Sequence, residues 1–456
     1  MRIWHFLLRG HWAFGLAFAP APFAIQPSFA QPAADPVAAP SAQLDAAFAR
    51  MMQNPSDPAA AFAYARAAVE AGQPQAAIAA LERVLRVNPR LDNIRLELAS
   101  LYLAVGQPDL AAVAAREALA SPDIPPEVAE RARRLLAQAD QGSSRSRFSG
   151  TIFAGARYDT NANAQPTGPV VFFSPQVGAP VTGALPPGTA GASSWSSVLS
   201  GRFNHQYDLG LQREGTLESN LSLYDQRYGA IQRAYDIFIS EVDIGPRIGV
   251  ATLEGGNLSL RPFATATMIA YQDRLYAGLY GGGLTAELKL VDRWTVGLTG
   301  IYQGGSYQNS GFRPRARDYT GTSNSLALSV AYDFGPTTRA SLTVGRSEAN
   351  TRQRYLDYAG QFALFSIGST FTIGTYQFGA AVRGGWRQFN YDGPDPSIDP
   401  GTTQRTRRGN AGATLVLPIT GQIAATIEFD YLKQTSNIPN YAYDNYATVL
   451  GLRFAL

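Results

Sequence analysis

The last two thirds of this chain, from about residue 148 to residue 456, alternate between apolar and polar side chains at every second position. The run from Leu326 to Phe334 places Leu, Leu, Val, Tyr and Phe at alternate positions, and the run from Leu284 to Leu290 repeats the pattern. A period of two puts successive side chains on opposite faces of a β-strand. One apolar face in every strand is typical of a half-buried soluble sheet or of a membrane barrel.

Three details favour the barrel. The alternating segments are about 12 to 16 residues long, whereas a tilted strand needs only about 9–11 residues inside a bilayer. Aromatic residues lie near strand ends, as Trp294 and Tyr302 do on either side of Val296, and barrels carry such aromatic girdles. Short turns alternate with longer polar connections. We therefore predict an all-β transmembrane barrel of about 14 antiparallel strands over residues 148–456.

The longer connections are predicted to lie together at one end of this barrel. Residues 273–279 are one of them, and the longest is 160–192, whose segment 161–192 contains no charged residue. A Gly/Pro-rich, uncharged loop at a barrel mouth either folds inward as a plug or forms an exposed tip. Both arrangements remain open at this point.

The N-terminal residues have the pattern of an export signal. Residues 1–30 contain a basic start, an apolar stretch and a Ser-Phe-Ala site before Gln31, which predicts a signal peptide. The alternative is an N-terminal membrane anchor, which three prolines within the stretch disfavour. Residues 31–41 are expected to form a flexible lead-in. Export together with a barrel predicts the outer membrane of a Gram-negative bacterium.

Residues 42–140 change to an Ala-rich helical pattern. The phrase Ala71-Gly72-Gln73-Pro74 recurs as Val105-Gly106-Gln107-Pro108, a period of about 34 residues that resembles tetratricopeptide repeats. We predict a small all-α module in the periplasm, capped by helices near 43–52 and 127–139 and joined to the barrel by a linker at 141–147. The alternative is a generic pair of helical hairpins.

The concave face of such a module usually binds an extended partner. Its first helices are expected to present a client-binding surface. The residues predicted for this surface are Phe62, Arg66, Glu70, Asn93, Leu96 and Ser100.

Charged residues at inward positions of the predicted strands are expected to line the barrel lumen, either in a wet channel or as pairs across a plugged one. These residues are Arg202, Glu218, Glu287, Arg339, Glu428, Asp430 and Arg453.

Residues for catalysis are scarce. His205 is the only His after the signal peptide, and Cys is absent, so we predict no transition-metal site, no cofactor and no enzyme activity. His205 shares the outward face with Leu199 and Phe203, where an aromatic-belt role is the simpler interpretation. The net charge of +3 is too small to predict a nucleic-acid partner.

The start of the barrel carries the most specific motif. The run Asp159-Thr160-Asn161-Ala162-Asn163-Ala164-Gln165-Pro166 resembles the "Asp-Ser-Asn-x-Asn-x-x-Pro" stretch of the surface lipoprotein assembly modifier family. Asp159, Asn161, Asn163 and Pro166 are the matching positions, and the same residues can simply cap a turn where the strand ends. The order of signal peptide, repeat module and barrel is similar to that of the family.

This resemblance implies a role in bringing a client surface or secreted (lipo)protein across the outer membrane. The repeats would engage the client, and the barrel would guide its passage. Apart from the resemblance, the predicted barrel implies contacts with outer-membrane lipid and with the barrel assembly machinery. The arginines in the connections at 305–318 and 392–408 are expected to balance lipopolysaccharide phosphates or, less often, to bind a substrate. Two further functions remain open, an exopolysaccharide exporter with repeats plus a barrel and a porin-like channel.

Overall fold

The computed structural model describes residues 41–54, 57–122, 124–143, 145–185, 190–211, 215–229, 233–253, 255–290, 293–374 and 376–456. The predicted signal peptide and almost all of the lead-in lie outside these residues. The described chain divides into two compact units, a helical unit that ends at Arg147 and a strand unit from Phe148 to Leu456.

The helical unit contains six helices within the described residues, including the two predicted caps. They are α1 (Ser41–Gln53), α2 (Pro58–Glu70), α3 (Pro74–Val87), α4 (Asp92–Ala104), α5 (Pro108–Leu119) and α6 (Pro126–Ser143).

The two repeated Gly-Gln-Pro phrases end a helix and start the next in the same way. Gly72 and Gly106 have φ of 73° and 74°, a left-handed conformation that glycine adopts without strain. The next residue donates its amide to a carbonyl five residues back, Gln73 to Ala68 at 2.7 Å and Gln107 to Tyr102 at 2.8 Å. This is a Schellman ending, and it explains why the phrase recurs at each hairpin.

Alanines form most of the contact between these helices. Ala61, Ala68, Ala77 and Ala111 have no exposed surface, so helix backbones approach closely where they cross. Burial and a hydrogen bond to Glu82 raise the pKa of Tyr102 to about 12, so this phenol stays neutral and joins α4 to α3.

The strand unit is a closed barrel of fourteen antiparallel strands, in the order β1-β16-β15 and onward to β5-β4. The predicted strand number and fold class are therefore confirmed. The barrel strands are β1 (Ser146–Asp159), β4 (Ser194–Asp208), β5 (Gly215–Tyr228), β6 (Ile237–Leu253), β7 (Gly256–Tyr271), β8 (Arg274–Leu290), β9 (Trp294–Tyr307), β10 (Gly321–Asp333), β11 (Thr338–Thr351), β12 (Tyr358–Ile373), β13 (Tyr376–Pro394), β14 (Thr403–Pro418), β15 (Ile423–Ser436) and β16 (Tyr443–Ala455).

Two ends of the barrel can be distinguished. We call the end with Ser146 and Ala455 the terminal end, and the opposite end, where β1 finishes at Asp159, the loop end. β1 pairs with β16 from Thr151↔Ala455 to Asp159↔Ala447, which leaves no free strand edge in the wall.

The outward face of the wall is apolar, as the alternation predicts. Leu284, Leu298, Leu326 and Leu342 are among the large apolar side chains that remain about half exposed. Trp294 and Tyr302 lie on the same face as Leu298, because the cross-strand register pairs Leu298 with Leu328 and Trp294 with Tyr332. None of the described helices has the length and apolarity needed to cross a membrane.

The predicted loop at 273–279 is wrong. β8 begins at Arg274, and the connection from β7 is a two-residue turn at Gln272 and Asp273, both with positive φ. The ladder shifts register between Ile269 and Ala270, so the partner strand carries an extra residue at Tyr276. This β-bulge interrupts the alternation, and the interruption hid the start of the strand.

The longest connection contains a structure that its sequence did not indicate. β2 (Val170–Ser174) and β3 (Ala179–Gly183) form a separate antiparallel hairpin. Gly178, with φ of 69°, lies in the turn between them.

Candidate functional site

The barrel interior holds two groups of ion pairs. The first, which we call the Glu218 cluster, consists of Glu218, Asp243, Arg247, Arg261 and Glu287 from β5 to β8. Arg247 Nε donates to Glu218 Oε1 at 2.6 Å, and its Nη1 donates to Glu287 Oε1 at 3.3 Å. Arg261 Nε lies 2.9 Å from Glu218 Oε2, and its Nη2 pairs with Asp243. Two arginines thus hold three carboxylates together across four strands.

The second group, the Asp430 cluster, consists of Arg157, Asp159, Arg383, Glu428 and Asp430. Arg383 Nη2 lies 2.5 Å from Asp430 Oδ1 and 3.3 Å from Glu428 Oε2. Arg157 donates to Asp159 at 2.8 Å and lies 4.0 Å from Asp430. Arg383 and Asp430 meet over Gly412 of the intervening strand β14. The cluster therefore links β13, β15 and β1 along the inner face of the wall.

The remaining lumen residues predicted from the sequence also lie at inward positions. Arg453 Nη2 is 4.0 Å from Glu428. Arg202 lies opposite Ser222 in the ladder, and Glu428 and Glu241 interact with it electrostatically. Arg339 pairs with Asp333 at 3.1 Å near the terminal end, where both are half exposed.

The four motif residues at the start of the long connection form a structural anchor. Asp159 is 2% exposed and accepts from Asn445 Nδ2 at 2.7 Å. The Asn161 side chain binds backbone groups of Gln165 and Asp444, and Asn163 binds Ala190 and Ala192. Pro166 is buried beside them. Asn161 and Asn163 thus bind backbone groups as expected for a cap, whereas Asp159 bonds to the side chains of Arg157 and Asn445.

The interior differs between its two ends. At the loop end, inward side chains are packed, with Ile269, Tyr307 and Tyr358 only 1–4% exposed. At the terminal end, inward polar side chains such as Lys289 and Arg339 are exposed. Side chains with so little exposure cannot line a wide open pore. The loop end is therefore packed with buried apolar and polar side chains, the latter including Gln303 and Arg387, whereas polar side chains at the terminal end are exposed.

The connection between β9 and β10 contributes to this packing. Ala316 and the partly buried Tyr319, from its short 3₁₀ helix Ala316–Tyr319, join a cluster with Ile269 and Tyr307. The Arg313 guanidinium lies 3.5 Å over the ring of Tyr271, a cation–π contact that holds the connection against the wall.

Other connections interlock above this cluster. Val171 in β2 donates to Asn440 Oδ1 at 2.7 Å and accepts from Asn440 Nδ2 at 2.7 Å. Phe173 donates its amide to the Ser397 carbonyl at 3.3 Å, and Val171 packs on a cluster that contains Ile398. We call the hairpin and the connections at 308–320, 395–402 and 437–442 the lid. The long connection is therefore packed on its neighbours rather than extended as an exposed tip.

The predicted client surface of the repeats is only partly at the surface. Phe62, Arg66, Glu70 and Asn93 are exposed, and Ser100 is half-buried. Arg66 and Glu70 form an exposed pair at 3.3 Å.

Leu96 corrects this prediction. It has no exposed surface, because Ala118 of α5 and Ala132 of α6 cover it. The cap helix α6 packs where an open concave face was expected, so Leu96 belongs to the core of the module.

His205 lies on the outward face of β4, where its ring stacks on that of Phe148 at 4.2 Å between centroids. The described residues contain no group of three or more His, Cys, Asp or Glu side chains placed to hold a metal ion.

The comparisons with known proteins support the repeat assignment. Residues 37–122 match the family model of the tetratricopeptide repeat. No curated protein matches the chain. The crystal structure of the MamA protein is 20% identical with a TM-score of 0.20, covering 23% of this chain and 54% of that one, so the chain spans about half of MamA's length.

Two outer-membrane proteins are similar to the strand unit. The anion-selective porin from Comamonas acidovorans is 12% identical with a TM-score of 0.33, over 68% of this chain and 99% of that chain. The outer membrane channel DcaP of Acinetobacter baumannii is 8% identical with a TM-score of 0.34, over 68% and 97%. The helical unit is thus a tetratricopeptide-repeat module, and one chain joins it to a closed fourteen-stranded barrel.

Proposed function

We propose that this protein helps a client (lipo)protein to reach the surface of a Gram-negative bacterium. The repeat module binds the client in the periplasm, and the barrel in the outer membrane guides its passage. The observation that carries this proposal is the combination of a tetratricopeptide-repeat module with a barrel whose inward side chains are exposed at the terminal end and packed at the loop end. A guide of this kind needs a receiving cavity and a closed outer mouth between passages.

The orientation follows from the same features. The outward apolar face of the wall matches a bilayer, and short turns at one end with long connections at the other are typical of outer-membrane barrels, whose long loops face outward. Both ends of the barrel sequence would then lie in the periplasm. The repeat module precedes β1 in the chain, so it would also be periplasmic.

A porin-like channel is the second candidate, because the two charge clusters give the barrel a polar interior of the kind that porins have. The packed loop end argues against passive conduction. The repeat module would also have no role in such a channel.

The test is surface display of a candidate client lipoprotein, encoded beside this protein and co-expressed with it in a heterologous Gram-negative host. Protease accessibility on intact cells measures display. One variant lacks residues 42–140, and a second carries Phe62→Ala with Arg66→Ala. Arg133→Ala is the matched control for the arginine, since Arg133 is also an exposed residue paired within its own helix, to Glu130.

We expect display with the wild-type chain and the control, and its loss with both module variants. If the client is displayed equally well without the module, the proposal is wrong. Measuring conductance in planar bilayers tests the porin-like alternative. A porin predicts a stable open conductance that deletion of the module leaves unchanged, whereas the client guide predicts a mostly closed barrel.

A further inference from the structure

The outward face of β13 to β15 carries a basic recess at the loop end. It has a volume of about 350 Å³, and its lining side chains lie at the outward positions of these strands, since burial alternates along β14. Its lining consists mainly of the side chains Gln388, Asn390, Arg405, Arg407, Thr435 and Asn437.

The register explains why two arginines meet there. Arg405 pairs with Asn390, and Arg407 pairs with Gln388 on one side and Thr435 on the other. The intervening Thr406 is 3% exposed and faces inward. Residues two apart on a strand share a face and lie about 7 Å apart, so both guanidinium groups reach the same recess.

The charge of these arginines is not balanced by nearby acids. Arg407 Nε donates to the neutral Gln388 Oε1 at 3.3 Å, and Asn437 binds the backbone rather than the guanidinium of Arg405. Within the described part of the chain, neither guanidinium forms an ion pair with a carboxylate. The recess therefore has unbalanced positive charge that an anion can neutralise.

Two other outward arginines near the loop end differ in this respect. Arg227 pairs with Asp225 at 2.8 Å and with Asp273 at 2.6 Å. Arg346 pairs with Glu348 at 2.5 Å. These two arginines thus have carboxylate partners within the chain, whereas the two arginines of the recess have none among the described residues.

The recess lies at the height of lipid headgroups on the proposed orientation. Trp386 is the next outward residue of β13 after Gln388, in the direction of the membrane centre. Beyond it in the same direction, the ring of Tyr431 stacks on that of Tyr446, with 4.5 Å between the ring centroids. Apolar side chains such as Phe429 and Leu450 follow. Trp and Tyr mark the membrane–water interface, so the arginines lie just outside it.

We propose that this recess binds a lipid headgroup that carries phosphomonoesters, of the kind that lipopolysaccharide presents in the outer leaflet. Arginine binds phosphate oxygens through two parallel N–H groups, and the Asn and Gln side chains supply further donors. The bound lipid would hold β13 to β15 in a fixed environment at the base of the lid. This proposal rests on the proposed orientation of the barrel, but not on the client.

The test uses the full-length protein in detergent with diphosphoryl lipid A as the probe, measured by native mass spectrometry. The variants are Arg405→Gln with Arg407→Gln, the charge-keeping Arg405→Lys with Arg407→Lys, and the matched control Arg346→Gln. Heat-modifiable electrophoretic mobility checks that each barrel is folded. We expect the glutamine pair to weaken binding about tenfold or more, since each charged hydrogen bond is worth more than a neutral one. The lysine pair should keep most of the affinity, and the control should match the wild type.

Four results would overturn the proposal. One is wild-type affinity in the glutamine pair, and another is equal loss in the control. The third is equal binding of dephosphorylated lipid A or of phosphatidylglycerol, whose phosphate is a diester. Displacement of the lipid by millimolar inorganic phosphate would reduce the recess to a simple anion site and would also contradict it. The display assay does not depend on the recess, so failure here leaves the client proposal standing.

Discussion

Replacing Arg261 with methionine should destabilise the barrel more than any exposed charge change. Arg261 is the most buried arginine of the Glu218 cluster, with its side chain 8% exposed, and it bridges Glu218 and Asp243. Methionine keeps much of the apolar stem and removes the charge. The substitution therefore separates the ion pairs from the packing of the side chain.

The size of the expected stability loss depends on which hydrogen-bond and ion-pair partners each carboxylate keeps after the substitution. Glu218 retains Arg247 at 2.6 Å, so its charge stays compensated. Asp243 retains only the neutral Asn220, whose Nδ2 donates at 2.9 Å. Breaking a buried pair costs about 3–5 kcal/mol because one charge is left without compensation. Since only Asp243 is stranded, and its side chain is 23% exposed, we expect a loss of about 3 kcal/mol.

The assay is reversible unfolding by urea of the barrel refolded into lipid vesicles. Arg339→Met is the matched control, because Arg339 and Asp333 form a half-exposed pair, and such pairs contribute only about 0–1 kcal/mol. Adding Asp243→Asn to Arg261→Met should restore most of the lost stability. If Arg261→Met costs no more than the control, or if the second substitution restores nothing, the reasoning about the stranded charge is refuted.

Three further predictions concern local packing. Leu96→Ala should lower the free energy of unfolding of the helical unit, followed by circular dichroism, by about 2–5 kcal/mol. Phe62 is partly exposed, so Phe62→Ala should lower it by less than about 1 kcal/mol. Asn161→Ala removes three hydrogen bonds to the backbone, so proteolysis within the long connection should become faster while the barrel stays folded. A Cβ at Gly321 would overlap a backbone carbonyl of the neighbouring strand, but one at Gly300 meets only a leucine methyl at 3.8 Å. Gly321→Ala should therefore reduce the heat-modifiable folded fraction, and Gly300→Ala should not.

The barrel could be predicted because its wall obeys a local rule. Side chains in a spanning strand meet either lipid or the interior, so the alternation around Leu326 or Leu284 records the wall directly. The rule failed at Tyr276, where a bulge adds one residue, and in the connection that forms β2 and β3. Both are places where the chain is shaped by contacts from other strands and loops rather than by a bilayer.

The interior was only partly accessible to the same reasoning. Asp243 and Arg247 alternate with the outward Val242 and Ile244, so the sequence pattern could have predicted that they face the interior. The predicted lumen residues did not include them. The sequence could not predict which residues they pair with, because these ion pairs join residues up to 40 positions apart in the chain. In the repeat module, the period located Gly72 and Gly106. It could not show that α6 would cover Leu96, since that depends on how the cap packs.

On the proposed function, the contrast between wall and lid decides which route a client would take. The wall has no free edge, and opening it would break a full ladder of backbone hydrogen bonds between two strands. The lid hairpin is held to its neighbours by two hydrogen bonds to Asn440 and one to Ser397. At roughly 1 kcal/mol net for each bond, displacing it costs about 3 kcal/mol before the apolar contacts of Val171 are added. The hydrogen bonds alone would leave the hairpin displaced in roughly one molecule in 10², and the apolar contacts lower this population, which the binding energy of the proposed client would have to raise. For the proposed client, passage through the interior with displacement of the lid is therefore favoured over lateral opening of the wall.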